Sequence, residues 1–252
     1  TGSISLMVQI IELLIKKGFA YRRNGNVYFE IKKFKNYGQL SGFNAKQMIL
    51  IAKERGGNPD DPLKKDPLDF LLWQKSKTDE PSWEAPFGKG RPGWHIECSS
   101  MVKKYLGDQI DIHGGGLDLI FPHHESEIAQ SESYTDKKPF VKYWIHTAML
   151  LRLGEKMAKS LGNLVMISDL LKKYSANAIR WVVLSNNYRS PWEFDENELK
   201  DAEKVLKNVI PNNRNNSDFN GNLKRFITLM DNDMNTPDGL KFILRLSNSQ
   251  SI

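Results

Sequence analysis

The chain has 252 residues, of which 40% are hydrophobic and 26% are charged, so it has enough apolar residues for one or two folded domains and is not a disordered chain. The net charge of +6 and the pI of about 9.2 favour an acidic partner such as RNA. One cysteine excludes an internal disulfide, and no stretch reaches the roughly 18–20 apolar residues of a membrane helix. We therefore expect a protein of the reducing cytoplasm, with no signal peptide and no membrane association.

The first third of the chain predicts a helix and a hairpin. Apolar residues between positions 4 and 15 recur at helical spacing, and Lys16, Lys17 and Gly18 are typical of a helix end. Asn24 and Gly25 are the preferred pair of a type I′ turn between the strand segments 19–22 and 27–31. The proline-rich segment 58–93 then predicts a strand and ordered loop that interrupt an α/β domain.

From residue 93 the pattern alternates between helix and strand. The predicted elements are helix 99–106, strand 109–113, helix 123–132 and strand 143–153. Such alternation favours parallel strands with crossover helices, whose ligands gather at the carboxyl ends of the strands. His113, Asp118 and a loop with two lysines fall at these ends.

After residue 163 the chain is predicted to be helical. Asp195 and Glu198 are spaced as in a capping box, and Thr236 with Pro237 is typical of the start of a further helix. Between them, the asparagine-rich segment 211–221 has too few apolar residues to pack and is predicted to be a linker or a loop.

Three separate residues have the chemistry of zinc ligands. If the segment after Pro122 is helical, His123 and Glu127 lie four residues apart and project from one face. Imidazole, carboxylate and the lone thiol of Cys98 all suit zinc. The spacing alone equally allows Cys98 to be a buried apolar side chain and His123 to be a surface residue at a helix start.

A resemblance to a known protein family decides between these two interpretations. Segments 93–99, 111–116 and 118–130 occur in the order and with the residues of the cysteinyl-tRNA synthetase family, which they resemble. In that family two cysteines, a histidine and a glutamate hold a zinc ion that binds the thiolate of the substrate cysteine. The resemblance implies that Cys98, His123 and Glu127 are three of these four ligands and that one Zn²⁺ is bound per chain.

A second motif contains two lysines. Residues 154–163 resemble the Lys-Met-Ser-Lys-Ser loop of class I aminoacyl-tRNA synthetases, with Ala158 in place of the central serine. The resemblance implies that Lys156 and Lys159 are catalytic and stabilise the pyrophosphate that leaves ATP, and that Lys159 also binds the nucleotide. By itself, a pair of lysines three residues apart is typical of a solvated surface.

Further site residues follow from the resemblance combined with general geometry. Trp94 is expected beside the adenylate and Asp118 at the ammonium group of the substrate. His113, Gly114 and Gly115 are expected where backbone approaches ATP or the adenylate. The same residues also fit a core tryptophan, a helix cap and an ordinary turn.

Three neighbouring residues receive no role from the sequence, although they lie inside the motifs. They are His95, His124 and Glu125.

The implied fold is an α/β Rossmann-type nucleotide-binding catalytic domain with an incomplete N-terminal half, followed by an all-α helical bundle. The implied domains are the end of the first Rossmann half (1–22), a connective insertion (23–92), the second half with the zinc site and lysine loop (93–163), and a helical region (164–252). The implied activity is ATP-dependent ligation of L-cysteine to tRNA(Cys) through a cysteinyl-adenylate, with Mg²⁺-bound ATP as substrate. A cytoplasmic monomer is expected.

Two family features do not occur in the 252 residues: the His-Ile-Gly-His signature and a second cysteine. We therefore expect a partial chain that also lacks the anticodon-reading domain. Two alternatives stay open, a cysteine-activating ligase of the mycothiol pathway and a non-catalytic zinc or nucleic-acid binding module. Residues 188–190 and 233–237 resemble the tRNA enzyme and favour it over the first alternative.

Overall fold

The computed structural model describes residues 2–208 and 219–248, which form two compact units, Thr1–His146 and Thr147–Ile252. The boundary between the units falls inside the segment 93–163 that the sequence analysis treats as one domain. The elements of the first unit are α1 (Ile4–Lys16), β1 (Ala20–Arg23), β2 (Asn26–Phe29), α2 (Ala45–Glu54), β3 (Phe70–Lys75), β4 (Gly90–Pro92), α3 (Trp94–Tyr105), β5 (Ile110–Gly116), α4 (Glu125–Thr135) and β6 (Val141–Thr147).

The first unit contains an antiparallel sheet of four strands in the order β1-β2-β3-β4, and β5 pairs with β6 in a separate sheet. Asn24 and Gly25 have φ values of 48° and 83°, which confirms the predicted type I′ turn. The predicted first helix is also confirmed, and its Ile11 and Leu14 are fully buried in the same apolar cluster as Trp73 of β3.

Helix α3 begins at Trp94, five residues before the predicted start at position 99. Its N-cap is Gly93, whose backbone N–H donates to Leu72 O at 2.9 Å on β3. A β-carbon at position 93 would overlap the Leu71 carbonyl oxygen, so glycine lets the helix start directly against the strand. Cys98 therefore lies on helix α3, and the helix sets the direction of the Cys98 side chain.

Helix α2 is not among the elements predicted from the sequence. Asn44 and Gln47 form a capping box in which each side chain pairs with the backbone N–H of the other. The Asn-x-x-Gln spacing is the signal that predicts this start. Met48 and Ala52 pack the helix against Phe121, the residue before Pro122.

The second unit contains β7 (Leu150–Arg152), β8 (Glu155–Lys156), α5 (Ile167–Leu170), α6 (Ala176–Leu184), β9 (Trp192–Glu193), α7 (Glu196–Asn208), α8 (Phe219–Asp231) and α9 (Thr236–Asn248). Strand β7 pairs antiparallel with β8 and parallel with β9. The buried apolar cluster of the second unit consists of Leu170, Ala178, Val182, Leu199 and Ala202. Among the described residues, no helix is both long and apolar enough to cross a membrane.

Two predictions in this part of the chain were wrong in their bounds. The single predicted strand 143–153 is two strands, β6 and β7. The predicted helix start at Thr236 is confirmed, and the residue before it, Asn235, supplies the cap, since Asn235 Oδ1 accepts from the Asp238 N–H at 3.2 Å. Residues 219–221 of the predicted linker belong to α8, and residues 211–218 lie outside the described residues.

The close approach of Gly93 to β3 yields a stability test. Gly93→Ala should lower the free energy of unfolding by about 1–3 kcal/mol, because the backbone must shift to admit the β-carbon. Gly114→Ala is the matched control, since its β-carbon would make only an ordinary contact of 3.5 Å with Ile145 O. Guanidinium denaturation followed by circular dichroism measures both. Equal stabilities for the two variants would contradict the steric explanation.

Candidate metal centre

Glu127 lies on the buried face of α4 with no exposed surface. Neither carboxylate oxygen has a hydrogen-bond partner among the residues that the structure describes. The nearest imidazole nitrogens are His113 Nε2, 3.5 Å from Oε2, and His123 Nε2, 3.7 Å from Oε1. Burial raises the pKa of Glu127 to about 8. Such a carboxyl group is either protonated or paired with a cation.

The three predicted zinc ligands come together. One donor atom each from Cys98, His123 and Glu127 lie within 4.8 Å of one another. The predicted i, i+4 relation of His123 and Glu127 is confirmed by their 3.7 Å contact. Burial, and then the charge of Glu127, raise the pKa of the Cys98 thiol to about 11, while burial lowers the pKa of His123 to about 4. Without a cation, thiol and carboxyl thus keep their protons and the imidazole is neutral, so the donor set fits a divalent metal that replaces two protons.

A second donor set shares Glu127. Donor atoms of His113, His124 and Glu127 also lie within 4.8 Å of one another. His124 Nδ1 is 2.7 Å from His146 Nε2, so one of these nitrogens donates to the other. The sequence assigns no role to His124 and does not single out His146. The signal for His146 is its position two residues after Trp144 on β6, on the same side of the strand.

His95 orients one of the proposed ligands. Its Nδ1 lies 3.0 Å from the Nδ1 of His123, which leaves the Nε2 of His123 directed at Glu127. If His123 carries its proton on Nδ1, its Nε2 has a free lone pair for a metal. Gln130 Nε2 donates to His95 O at 2.7 Å and holds this part of α3 in place. Burial lowers the pKa of His95 to about 3, so His95 stays neutral.

Glu125 has a structural role. Its carboxylate accepts from the backbone N–H groups of Leu40 and Ser41, at 3.3 and 3.0 Å. These bonds tie the start of α4 to the chain segment that precedes α2.

Trp94 forms a partly exposed wall next to the donors. Its ring stacks on His123 with 4.6 Å between centroids and an interplanar angle of 27°. Beside it lies a cavity of about 520 Å³, whose lining includes Arg91, Gly93 and Pro122. A half-exposed ring at the edge of a cavity contradicts the alternative that Trp94 is plain core.

Asp118 and the two glycines lie at the end of β5. Asp118 belongs to a 3₁₀ turn, and its carbonyl oxygen accepts from Arg55. A β-carbon on Gly115 would lie 2.8 Å from Cε1 of His124, so this glycine makes room for the imidazole. Gly114 has no such neighbour and stays exposed.

The predicted lysine loop lies in the second unit. Leu153 and Gly154, with φ values of 57° and 78°, form the tight turn that joins β7 to β8. Lys156 ends β8, and Lys159 begins a 3₁₀ turn. Both lysines are exposed.

The comparisons with known proteins agree with this fold. Residues 1–204 match the family model described as tRNA synthetases class I (C) catalytic domain. The chain superposes on a methionyl-tRNA synthetase of Mycobacterium tuberculosis bound by methionyl-adenylate with a TM-score of 0.60 and 12% identity, covering 97% of this chain and 63% of that one. The chain also superposes on a structure described as a putative arginyl-tRNA synthetase from Campylobacter jejuni. The TM-score is 0.52 and the sequence identity 15%, and the match covers 98% of this chain and 54% of that one. The chain therefore has the fold of a class I aminoacyl-tRNA synthetase.

Relatives in sequence identify the family within this class of synthetases. The chain is 48% identical to a cysteine–tRNA ligase of Dehalococcoides mccartyi over 256 residues, which cover 98% of this chain and 55% of the relative. It is 44% identical to one of Thermococcus onnurineus over 270 residues, with coverages of 99% and 56%. The chain belongs to the cysteine–tRNA ligase family, and it spans about half the length of these curated relatives.

The pKa values predict proton release on metal uptake. At pH 7, Zn²⁺ should displace about two protons, one from Cys98 and one from Glu127, because both pKa values lie above 7. Isothermal titration calorimetry in buffers of different ionisation enthalpy counts them. Glu127→Gln should bind zinc more weakly and release about one proton. Glu12→Gln, an exposed position on α1, is the control and should behave as wild type. Release of no proton would exclude this donor set.

The stability of the metal-free protein should depend on Glu127 between pH 4.5 and about 8. The folded pKa of about 8 exceeds the ordinary 4.5, so the folded state binds the extra proton and stability falls as pH rises through this window. The slope from this group approaches about 1.4 kcal/mol per pH unit between the two pKa values. The free energy of unfolding, measured by denaturation in EDTA across this pH range, should fall more steeply for wild type than for Glu127→Gln. The variant is the reference because both proteins contain the same histidines, whose titration therefore cancels in the difference. Parallel curves would contradict the raised pKa.

Proposed function

We propose that this chain carries the cysteine-activating part of a cysteine–tRNA ligase, which joins L-cysteine to tRNA(Cys) through a cysteinyl-adenylate. The observation that carries the proposal is the convergence of Cys98, His123 and Glu127, in which a buried carboxyl group has no hydrogen-bond partner within the described part of the chain. Membership of the family supports the same chemistry.

We infer that Cys98, His123 and Glu127 would hold one Zn²⁺. Zinc at this position would supply a Lewis acid that keeps a coordinating thiol deprotonated. This chemistry supports selection of cysteine over serine, because a hydroxyl is a far poorer ligand, whereas a pocket that only measures size discriminates by about 1–3 kcal/mol. His95 would keep the His123 ring in the orientation that points Nε2 at the metal.

Other side chains would bind the substrates. The stacking of Trp94 on His123, at the edge of the adjacent cavity, supports a position for Trp94 beside the adenylate. Asp118 would pair with the ammonium group of cysteine. His113, Gly114 and Gly115 would line the approach of ATP or the adenylate at the end of β5.

Lys156 and Lys159 would act on the phosphates. When the cysteine carboxylate attacks the α-phosphate of magnesium-bound ATP, negative charge builds up on the leaving pyrophosphate, and two ammonium groups stabilise it. Both are exposed, Lys156 at the end of β8 and Lys159 in the turn that follows, which supports this role. The terminal ribose of tRNA would then take the cysteinyl group.

We further propose that the α/β part is a Rossmann-type nucleotide-binding domain and that helices α6 to α9 form the bundle along which tRNA lies. The domain limits 1–22, 23–92, 93–163 and 164–252 stay predictions. The net charge of +6 supports a nucleic-acid partner.

The lysines provide the test of function in the intact protein. Lys159→Ala should slow cysteine-dependent exchange of pyrophosphate into ATP by about 2–4 kcal/mol of transition-state stabilisation and leave zinc content unchanged. Lys172→Ala, at an exposed lysine paired with Asp169 in the same unit, is the control. Exchange that does not require tRNA, followed by charged tRNA, excludes both the binding module and the mycothiol-type ligase. A wild-type protein without cysteine-dependent exchange would refute the proposal.

A further inference from the structure

The lysine loop closes on itself through one side chain. The Oδ1 of Asn163 accepts from the Ala158 N–H at 2.8 Å, and its Nδ2 donates to Lys156 O at 3.1 Å. One amide group thus pairs with backbone groups on both sides of Met157. In the sequence, Asn163 stands out only as the last residue of a motif.

The same segment is tied to β7. The Met157 N–H donates to Leu150 O at 2.9 Å, and the backbone oxygen of Asn163 accepts from Arg152 at 3.2 Å. Gly162, with a φ of 64°, reverses the chain so that Asn163 returns to the start of the loop. The backbone groups of Lys156 and Ala158 are therefore hydrogen-bonded to the Asn163 side chain, and the N–H of Met157 between them is hydrogen-bonded to β7.

Asparagine has the chemistry that this closure needs. It presents an acceptor and a donor on one short planar group. Aspartate keeps the acceptor but loses the donor, and it adds a negative charge next to two lysines. Position 158 is alanine, so it contributes no side-chain hydrogen bond, and Asn163 supplies the side chain that fixes its backbone N–H.

We propose that Asn163 is a positioning residue for Lys156 and Lys159. By fixing the backbone from which both lysines project, it sets where their ammonium groups meet the phosphates of ATP. This inference rests on the proposed role of the lysine loop in adenylate formation. Misplacement of a charged group by about 1 Å can cost about a hundredfold in rate, so loss of the closure has a measurable consequence.

The test compares Asn163→Ala with wild type in the intact protein. The kcat of cysteine-dependent pyrophosphate exchange should fall about ten- to a hundredfold. The KM for cysteine and the zinc content should not change, because the metal donors lie in the first unit. Asn163→Asp, which keeps the acceptor alone, should also be slow, and it serves as the second variant if the alanine variant fails to fold. Asn186→Ala is the matched control, since Asn186 Nδ2 donates to Val182 O at 2.9 Å on α6.

A combined variant tests whether Asn163 acts through the lysines. Asn163→Ala added to the variant that lacks both lysines, Lys156→Ala with Lys159→Ala, should be scarcely slower than that variant alone, because both positioned groups are already gone. Full additivity of the two effects would overturn the inference, as would a loss no larger than that of Asn186→Ala. An active wild type with an unaffected Asn163→Ala refutes the positioning role alone, whereas an inactive wild type refutes the proposed function and the inference with it.

Discussion

The buried carboxyl group of Glu127 is the constraint on which the first unit depends. A charged carboxylate cannot stay unpaired in such a site, so the surrounding elements must supply either a proton or a cation. Polar side chains hold α3 and α4 together at this level: Gln130 Nε2 donates to Ser99 Oγ at 2.7 Å, and Ser131 Oγ donates to the same atom at 3.2 Å. Since Ser99 follows Cys98, these bonds also fix the distance between the thiol and the carboxyl group.

Neutral histidines complete the site. Burial lowers the pKa values of His95, His123 and His124 to about 3, 4 and 3, so none of them carries a charge that would repel a cation at neutral pH. Two of these imidazoles pack against tryptophan rings. Trp94 stacks on His123, and Trp144 packs against His124. Ring stacking restricts rotation of the imidazoles, and the His95–His123 contact then decides which nitrogen faces Glu127.

The sequence predicted the features that depend on local spacing. The Asn24–Gly25 turn, helix α1 and the i, i+4 pair of His123 and Glu127 are examples, because each follows from a few neighbouring residues. Features that depend on distant contacts could not be predicted. Helix α3 starts early because Gly93 fits under a carbonyl of β3, and His146 joins the histidines because β6 pairs with β5. The proposal that Cys98, His123 and Glu127 bind zinc came from a resemblance, since spacing alone left their role open.

The position of the donors along the chain has a consequence for biosynthesis. Both donor sets lie between Cys98 and Glu127, inside the unit that ends at His146. Domains generally fold as units and in the order of synthesis. The ribosome therefore completes both donor sets before it makes any residue of the unit with the lysine loop, so the donors can come together before that loop exists.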